Sequence, residues 1–445
     1  MNKTIKFGTD GIRGNANDFP FNTDALISLG YSIAQWSINK YKKSNPKILI
    51  GHDTRESCAR IKKDLETGLL SFNLQILDTQ IIPTPAVCKL INNDTSFDLG
   101  IIISASHNKY DDNGIKLVDA KKGKLSLKDE KIIESNFKKN FNNIKKLKLT
   151  KIGSLNLLNN AQDLYLKILE LKFSKNFLDH KKIVLDCANG ATYKVAPLIF
   201  TQFGANIISI NISPNGKNIN ENCGSLHIEN LKEAVLLNKA DAGFALDGDG
   251  DRVIGVDKNG NKIDGDQIIA LLIQHPKAYN LKTIVGTTMT NLGLDLHLQK
   301  KNINLIRTDV GDKYVAKELN SKKLFLGGES SGHIIMTDYL NVGDGIFTAL
   351  RTMETILLNK ISNFQQFVPT PQILINVLVK EKKDLNSQPL SPIIEKYKTI
   401  LKSGRILVRY SGTENLLRIM AEGEDEKLVY NTAQELSNDL KNILK

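Results

Sequence analysis

Short apolar runs recur along the chain, each breaking off into a cluster of polar residues and glycines. Residues 47–51, 99–103, 182–186 and 205–210 are rich in Ile, Val and Leu, and 242–246 is Ala-Gly-Phe-Ala-Leu, all with little polar alternation. That is the pattern of strands buried on both faces. Between them lie longer stretches with apolar residues at helical spacing. The first predicts a helix from Thr23 to about Tyr41, with Thr23 as its N-cap, and a second covers about 56–72. A strand at about 74–78, the Pro83-Thr84-Pro85 turn, another helix and the 99–103 strand complete an alternating βα series. Such a series predicts a mostly parallel sheet covered by helices. The rhythm restarts at 182, and again between about 255 and 365, where 285–287 and 305–308 read as strands. Pro369 to Pro371 reads as a linker, and the residues after it form a smaller α+β unit. The expected architecture is α/β: three similar mixed α/β domains and a smaller C-terminal α+β domain around a central cleft. The expected boundaries are 1–155, 156–254, 255–368 and 369–445.

Ligands of open α/β sheets bind at the carboxyl ends of strands, so the polar bursts are where chemistry belongs. The 99–103 strand opens into Ser104-Ala105-Ser106-His107-Asn108, with Lys116 shortly after. A serine acts as a nucleophile only when a base or metal activates it, or when it carries a phosphate to pass on. Residues 7–14, Phe-Gly-Thr-Asp-Gly-Ile-Arg-Gly, set Arg13 in a glycine-rich turn suited to clamping a phosphate. His52-Asp53-Thr54-Arg55 is another polar strand end. The 242–246 strand runs into Asp247-Gly248-Asp249-Gly250-Asp251-Arg252. Three carboxylates at alternate positions can converge on one hard cation through oxygen ligands, and would repel one another without it. An EF-hand is excluded, because its sixth position would be Arg252 and its twelfth Lys258. Glu329, Ser331 and His333 alternate, so an extended loop would point an acceptor, a hydroxyl and an imidazole one way, toward sugar hydroxyls. The Gly343-Asp344-Gly345 turn follows. In the last unit, Arg409 and Arg418 flank Ser411-Gly412-Thr413, a phosphate cradle of hydroxyls and backbone N–H groups.

Composition changes this picture little. The 445 residues, 41% hydrophobic and 24% charged, describe a globular protein too long for one core. No run approaches the ~18 apolar residues of a membrane helix. The four cysteines (Cys58, Cys88, Cys187, Cys223) are widely spaced, which argues for reduced thiols in a cytoplasmic protein. The net charge of +12 is concentrated in 121–151, which holds eleven lysines against Asp129, Glu130 and Glu134. With only Phe137 and Phe141 as aromatics and no recognisable module, this stretch reads as a solvated lysine face and not a nucleic-acid site.

One polar loop from each of four successive units thus carries chemistry, around 106, 247–252, 328–333 and 409–418. A serine, a metal, hydroxyl readers and a remote phosphate anchor describe phosphoryl transfer to and from a sugar phosphate. Over nearly the whole chain, these motifs resemble the α-D-phosphohexomutase superfamily, and within it the bacterial phosphoglucosamine mutases. The segments carrying the resemblance are 7–14, Ile-Ser-Ala-Ser-His-Asn, Asp-Cys-Ala-Asn-Gly-Ala, Asn-Ile-Asn-Glu-Asn-Cys-Gly-Ser, and Leu-Asp-Gly-Asp-Gly-Asp-Arg-Val continuing to Asp264-Gly265-Asp266. The resemblance implies that Ser106 is a phosphoserine and that Asp247, Asp249 and Asp251, with Ser106, hold one Mg²⁺. It implies that Glu329, Ser331 and His333 contact the sugar, while Ser411, Thr413 and Arg418, with Arg409 and Gly412, hold its phosphate. Arg13, Lys116 and Arg252 would stabilise the transferring phosphoryl group, and the general base stays open between His107 and Lys116. The implied reaction interconverts glucosamine 6-phosphate and glucosamine 1-phosphate through glucosamine 1,6-bisphosphate, for UDP-N-acetylglucosamine and peptidoglycan synthesis. The expected partner is a small sugar phosphate, with no nucleic acid and no membrane; a homodimer is allowed.

The chain departs from the family pattern at three positions. Lys109 stands where proline commonly follows Ser-His-Asn, which predicts a less rigid serine loop; Lys313 replaces an arginine, and Asn415 a frequent proline. Three other readings compete. A phosphomannomutase/phosphoglucomutase would use the same machinery on neutral hexose phosphates. A haloacid-dehalogenase-like phosphatase would use Asp247 as nucleophile, although Asp251 departs from that motif. A basic RNA-binding protein would use the 121–151 lysines.

Overall fold

The computed structural model describes residues 4–121, 123–411 and 415–444. These build four sheets in chain order. In the first, Leu99–Ile103, Lys47–His52, Gln75–Ile81 and Ser154–Leu157 run parallel, with Asp112–Asp119 and Ile12–Asn15 added antiparallel at one side. The second sets Ala242–Leu246, Lys182–Asp186 and Asn206–Ile210 parallel, with Val253–Asp257 and Lys262–Ile263 antiparallel. The third is smaller, with Thr283–Thr287 parallel to both Asn304–Thr308 and Leu326–Gly328, and Ile334–Met336 closing a hairpin. The last sheet is wholly antiparallel, Gln372–Leu378, Leu416–Glu422 and Arg405–Tyr410, backed by helices Leu390–Ile400 and Glu426–Leu444. The βα rhythm of the first three units gives way to αβ meander after the Pro369–Pro371 segment, as the periodicity predicts.

One helix start differs from expectation. Thr23 is the first helical residue of Thr23–Tyr41, and Asn22 takes the cap position without a side-chain cap bond. The lysine-rich stretch forms helix Leu127–Asn142, capped by Ser126 Oγ accepting from the Asp129 N–H at 3.2 Å. Ile133 and Phe137 are buried against the first unit and Phe137 stacks on Phe141, so the aromatics are spent on packing. Most of the lysines project into solvent, but Lys124 does not. No helix among the described residues is long and apolar enough to cross a membrane.

The packing of the four units is unequal. One continuous apolar cluster includes Val87 and Tyr165 with Ile183 and Phe244 of the second sheet and Leu271 and Phe347 of the third unit. The last unit keeps a core of its own, built on Leu390, Ile419, Val429 and Leu436. Its tie to the third unit is polar. Glu422, fully buried, accepts from the Leu292 N–H (2.6 Å), the Thr370 hydroxyl (3.0 Å) and Arg405 Nε (3.0 Å). The three α/β units therefore share their hydrophobic stabilisation, while the fourth is joined to the third through buried polar contacts.

Helix Ser57–Leu69 carries a buried acid, Glu66, whose Oε1 has no hydrogen-bond partner. Burial pushes its pKa up to about 7, more than nearby Lys62 lowers it. The folded state therefore holds this proton where the unfolded chain has released it, and stability contributed by the neutral form is lost as pH rises from ~4.3 through about 7. Glu66→Gln should gain stability over the native chain as pH is raised from about 5 to about 8, measured by urea denaturation. Parallel curves for the two proteins would contradict this.

Candidate active site

Ser106 follows the buried Leu99–Ile103 strand and adopts the left-handed region, with φ 55°. Its N–H donates to Ser104 Oγ at 2.9 Å, and its own hydroxyl donates to Asp247 Oδ2 at 2.7 Å. His107 Nδ1 lies 3.2 Å from the same hydroxyl. Burial, then the cations Arg252 and Arg13, push His107 down to about 3, so the ring is neutral at neutral pH.

The aspartate loop begins where Ala242–Leu246 ends. Asp247 Oδ1 accepts the N–H groups of Gly250 (3.0 Å) and Arg252 (3.2 Å), curling the loop back on itself. Gly250, at φ 77°, makes that turn possible. Asp249 Oδ2 accepts from the Thr84 hydroxyl at 2.6 Å and from Lys116 Nζ at 2.8 Å. Lys116 also reaches Asp251 Oδ2 at 3.3 Å. Carboxylate oxygens of all three aspartates lie within 4.8 Å of one another, and all three residues are buried. Burial and the neighbouring Asp251 and Asp249 push the Asp247 carboxyl well above the carboxylate range. Burial acts the same way on Asp251, but Lys116 and His333 outweigh it and hold that carboxyl well below the range. Asp249 Oδ1 and Asp251 Oδ1 are buried with no hydrogen-bond partner. Two orphaned hard oxygens in a cluster of three buried carboxylates make a donor set that fits a divalent cation such as Mg²⁺.

A cationic wall stands beside this loop. Lys116 Nζ pairs with Asp10 Oδ2 at 2.7 Å, and Arg13 Nη2 with the same oxygen at 2.6 Å. Asp10 Oδ1 accepts from Lys124 at 2.9 Å, and Lys124 reaches across to Asp312 at the start of helix Asp312–Lys322. Asp10 thus gathers three cations, and Lys124 ties the first unit to the third. Lys124, Asp312 and Thr84 escape reading from the sequence alone. Lys124 is one lysine in a run of eleven, and Thr84 and Asp312 lie far along the chain from the acids and bases they meet.

The third unit contributes a tight hairpin and not an extended loop. Gly332 N–H bonds to the Glu329 carbonyl at 2.9 Å, with Gly332 at φ 90°. Glu329, Ser331 and His333 nevertheless all line one cleft. Glu329 Oε1 accepts from the Gly311 N–H at 3.0 Å. Gly343 N–H donates to His333 Nε2 at 3.0 Å, which puts the ring proton on Nδ1, 3.7 Å from Asp251. The Gly343-Asp344-Gly345 turn therefore orients His333, and through Gly345 N–H to the Gly250 carbonyl (2.9 Å) it is bonded to the aspartate loop. In the last unit Arg409 and Arg418 sit directly opposite one another across the Arg405–Tyr410 and Leu416–Glu422 strands. Paired like charges at that spacing are unfavourable unless an anion joins them. Arg409, Ser411 and Arg418 line the same cleft as Arg13, His107, Arg252 and Lys313. The cleft encloses about 1790 Å³ open to solvent. Gly412 and Thr413 lie outside the described residues. Lys313, in place of the family's arginine, donates to the Gly8 carbonyl at 3.3 Å, a single bond between units.

The Lys124 bridge is testable by a double-mutant cycle. Lys124→Ala and Asp312→Asn should show a coupling of about 1–2 kcal/mol in unfolding free energy, modest because the lysine is partly solvated. Strictly additive losses would mean that the bridge holds nothing.

Comparison with known proteins agrees with this layout. The phosphoglucomutase/phosphomannomutase family's alpha/beta/alpha domains I, II and III match residues 4–143, 163–260 and 264–369, and its C-terminal domain matches 374–438. A Geobacter metallireducens protein named phosphoglucosamine mutase is 41% identical, the match covering 97% of each chain. A phosphoglucomutase/phosphomannomutase family protein of Burkholderia thailandensis has the same fold, with a TM-score of 0.79 at 19% identity over 98% of this chain and 97% of that one. So does Aspergillus fumigatus N-acetylphosphoglucosamine mutase, solved in complex with GlcNAc-6P and magnesium, with a TM-score of 0.70 at 16% identity over 100% and 96%. With all four family domains in order and this degree of identity from end to end, the chain belongs to the phosphoglucosamine mutase branch of the phosphohexomutase family.

Proposed function

We propose that this protein interconverts glucosamine 6-phosphate and glucosamine 1-phosphate by carrying a phosphoryl group on Ser106. The observation that carries the reading is the buried Ser106 hydroxyl, 2.7 Å from Asp247 and beside three clustered carboxylates, with the adjoining His107 and Asp251 lining the cleft that Arg409 and Arg418 also line. Ser106 phosphate gives its phosphoryl group to the free hydroxyl of the bound monophosphate. The Oγ–P bond breaks as the new sugar O–P bond forms, leaving a bisphosphate. After that intermediate turns over, its other phosphoryl group returns to Ser106. The proton leaving the sugar hydroxyl goes to a general base, for which His107, with Nδ1 3.2 Å from Ser106 Oγ, and Lys116 are the two candidates.

Arg13, Lys116 and Arg252 supply fixed positive charge to the phosphoryl group in transit. Arg409, Ser411, Gly412, Thr413 and Arg418 hold the phosphate that does not react, while Glu329, Ser331 and His333 orient the ring hydroxyls. Asp247, Asp249, Asp251 and Ser106 would hold one Mg²⁺, which supplies Lewis-acid stabilisation of phosphoryl oxygens when bound. The proposed division of labour follows the units: serine loop in 1–155, metal loop in 156–254, sugar loop in 255–368 and phosphate loop in 369–445. Four buried free thiols suit a reducing, cytoplasmic compartment.

Turnover with Mg²⁺ and a trace of bisphosphate should favour glucosamine phosphates over glucose and mannose phosphates by about tenfold or more, the scale of one recognised polar group. Ser106→Ala should lose on the order of 10⁴-fold or more in kcat. Equal rates on all three sugars would shift the substrate assignment to a neutral hexose. If instead Asp247→Asn abolished activity, Ser106→Ala kept it, and free phosphate accumulated, an aspartyl phosphatase would be the right reading. Calorimetric titration should find one Mg²⁺ per chain, weakened about tenfold or more by Asp249→Asn.

A further inference from the structure

The serine loop carries Lys109 where proline is common, yet its backbone is held from two sides. Arg55 comes from the polar end of the Lys47–His52 strand, and its side chain is fully buried against Asp53, with Nε 2.9 Å from Oδ2. Its Nη2 donates to the carbonyls of Ser106 (3.0 Å) and Asn108 (2.8 Å), and its Nη1 to that of Lys109. Asn220 comes from the second unit, in the Asn-rich loop before Gly224. Its Nδ2 donates to the same two carbonyls, Ser106 at 2.9 Å and Asn108 at 3.0 Å. Asn220 is itself left-handed, at φ 57°, and its N–H is anchored on the Ala188 carbonyl at 2.9 Å. Asp53 completes the cage: its Oδ2 also accepts from Ser104 Oγ at 2.6 Å, and Ser104 Oγ in turn accepts the Ser106 N–H.

We propose that Arg55 and Asn220 are positioning residues, a two-sided clamp that turns the serine-loop carbonyls away from the phosphoryl site and holds Ser106 left-handed with its hydroxyl on Asp247. This deepens the Ser106 reading and rests on it. A left-handed serine is disfavoured on its own, so something has to hold it. The two donors are placed on the Ser106 carbonyl itself. The fit is close enough that a Cβ on Gly248 of the aspartate loop would meet that carbonyl at 2.7 Å and Asn220 Nδ2 at 2.8 Å. Asn220 therefore ties the serine loop of the first unit to the Asn220 loop of the second, with Gly248 of the aspartate loop packed against the contact. Arg55 and Asn220 spend these donors on serine-loop carbonyls, which makes their role one of positioning.

The test is Asn220→Asp, which keeps size and tolerance of the left-handed backbone but sets an anion against two carbonyl oxygens. Asn220→Gly keeps the backbone and deletes the donor, and Arg55→Lys keeps the charge beside Asp53 but loses the fork. With Mg²⁺ and bisphosphate, Asn220→Asp should lose about 10–100-fold in kcat, the scale of a small misplacement of a reacting group. The KM for glucosamine phosphate should stay within about twofold, since ground-state binding is untouched. Asn220→Gly and Arg55→Lys should lose kcat in the same sense, also without a rise in KM. A merely structural role would lower the melting temperature and the active fraction, with kcat per phosphorylated site unchanged. Unchanged kcat per site in folded Asn220→Asp overturns the clamp; if that variant does not fold, Asn220→Gly decides by the same criterion. If the native enzyme turns over without phosphate on Ser106, the underlying reading fails and the clamp with it. An active, Ser106-phosphorylated native enzyme beside an unaffected variant overturns the clamp alone.

Discussion

Three carboxylates on one turn must be buried together beside a serine, and much of the surrounding structure is arranged to permit it. At the short separations of the Asp247, Asp249 and Asp251 oxygens, repulsion in a protein interior amounts to several kcal/mol per pair before compensation. The chain's own compensation is partial. Lys116 reaches two of the three, the loop N–H groups reach Asp247, and Thr84 reaches Asp249. Two oxygens stay unpartnered and one carboxyl resists ionisation. That unmet demand for positive charge makes the cluster compatible with a divalent cation.

The same demand explains why the units are joined as they are. Lys116 can serve the aspartates only if Asp10 holds it from behind, and Asp10 is itself held by Arg13 and Lys124. Lys124 then reaches the third unit, and the Gly343–Gly345 turn links that unit back to Gly250. Three α/β units are thus bound together by one apolar core and this charge network. The C-terminal unit keeps a separate core and brings Arg409 and Arg418 to the cleft.

What could be read in the sequence follows from distance along the chain. Asp247, Asp249 and Asp251 share one loop, and Ser106 with His107 ends one strand, so spacing and residue type announced them. Arg409 and Arg418 flank one turn, and the sheet places them as direct partners. The residues that stayed hidden act across units. Thr84, Asp10 and Asp312 are ordinary polar residues until folding brings Thr84 to Asp249 and the two aspartates to Lys116 and Lys124. Asn220 sits in a loop where asparagine is common, and its function comes only from facing the Ser106 carbonyl. The Thr23 cap was misplaced by one residue because threonine at a helix start has the same signature at either position. The expected looseness of the Lys109 loop overlooked Arg55, visible in sequence only as a polar strand end.

The most direct measurement is peptide mass spectrometry of the protein after incubation with Mg²⁺ and glucosamine 1,6-bisphosphate, run alongside turnover. This account predicts one added phosphate, on the peptide containing Ser106 and on that residue, gained from the bisphosphate as monophosphate appears. Mutase turnover with Ser106 unmodified, or with the phosphate on an aspartate of the 247–251 loop, would contradict it.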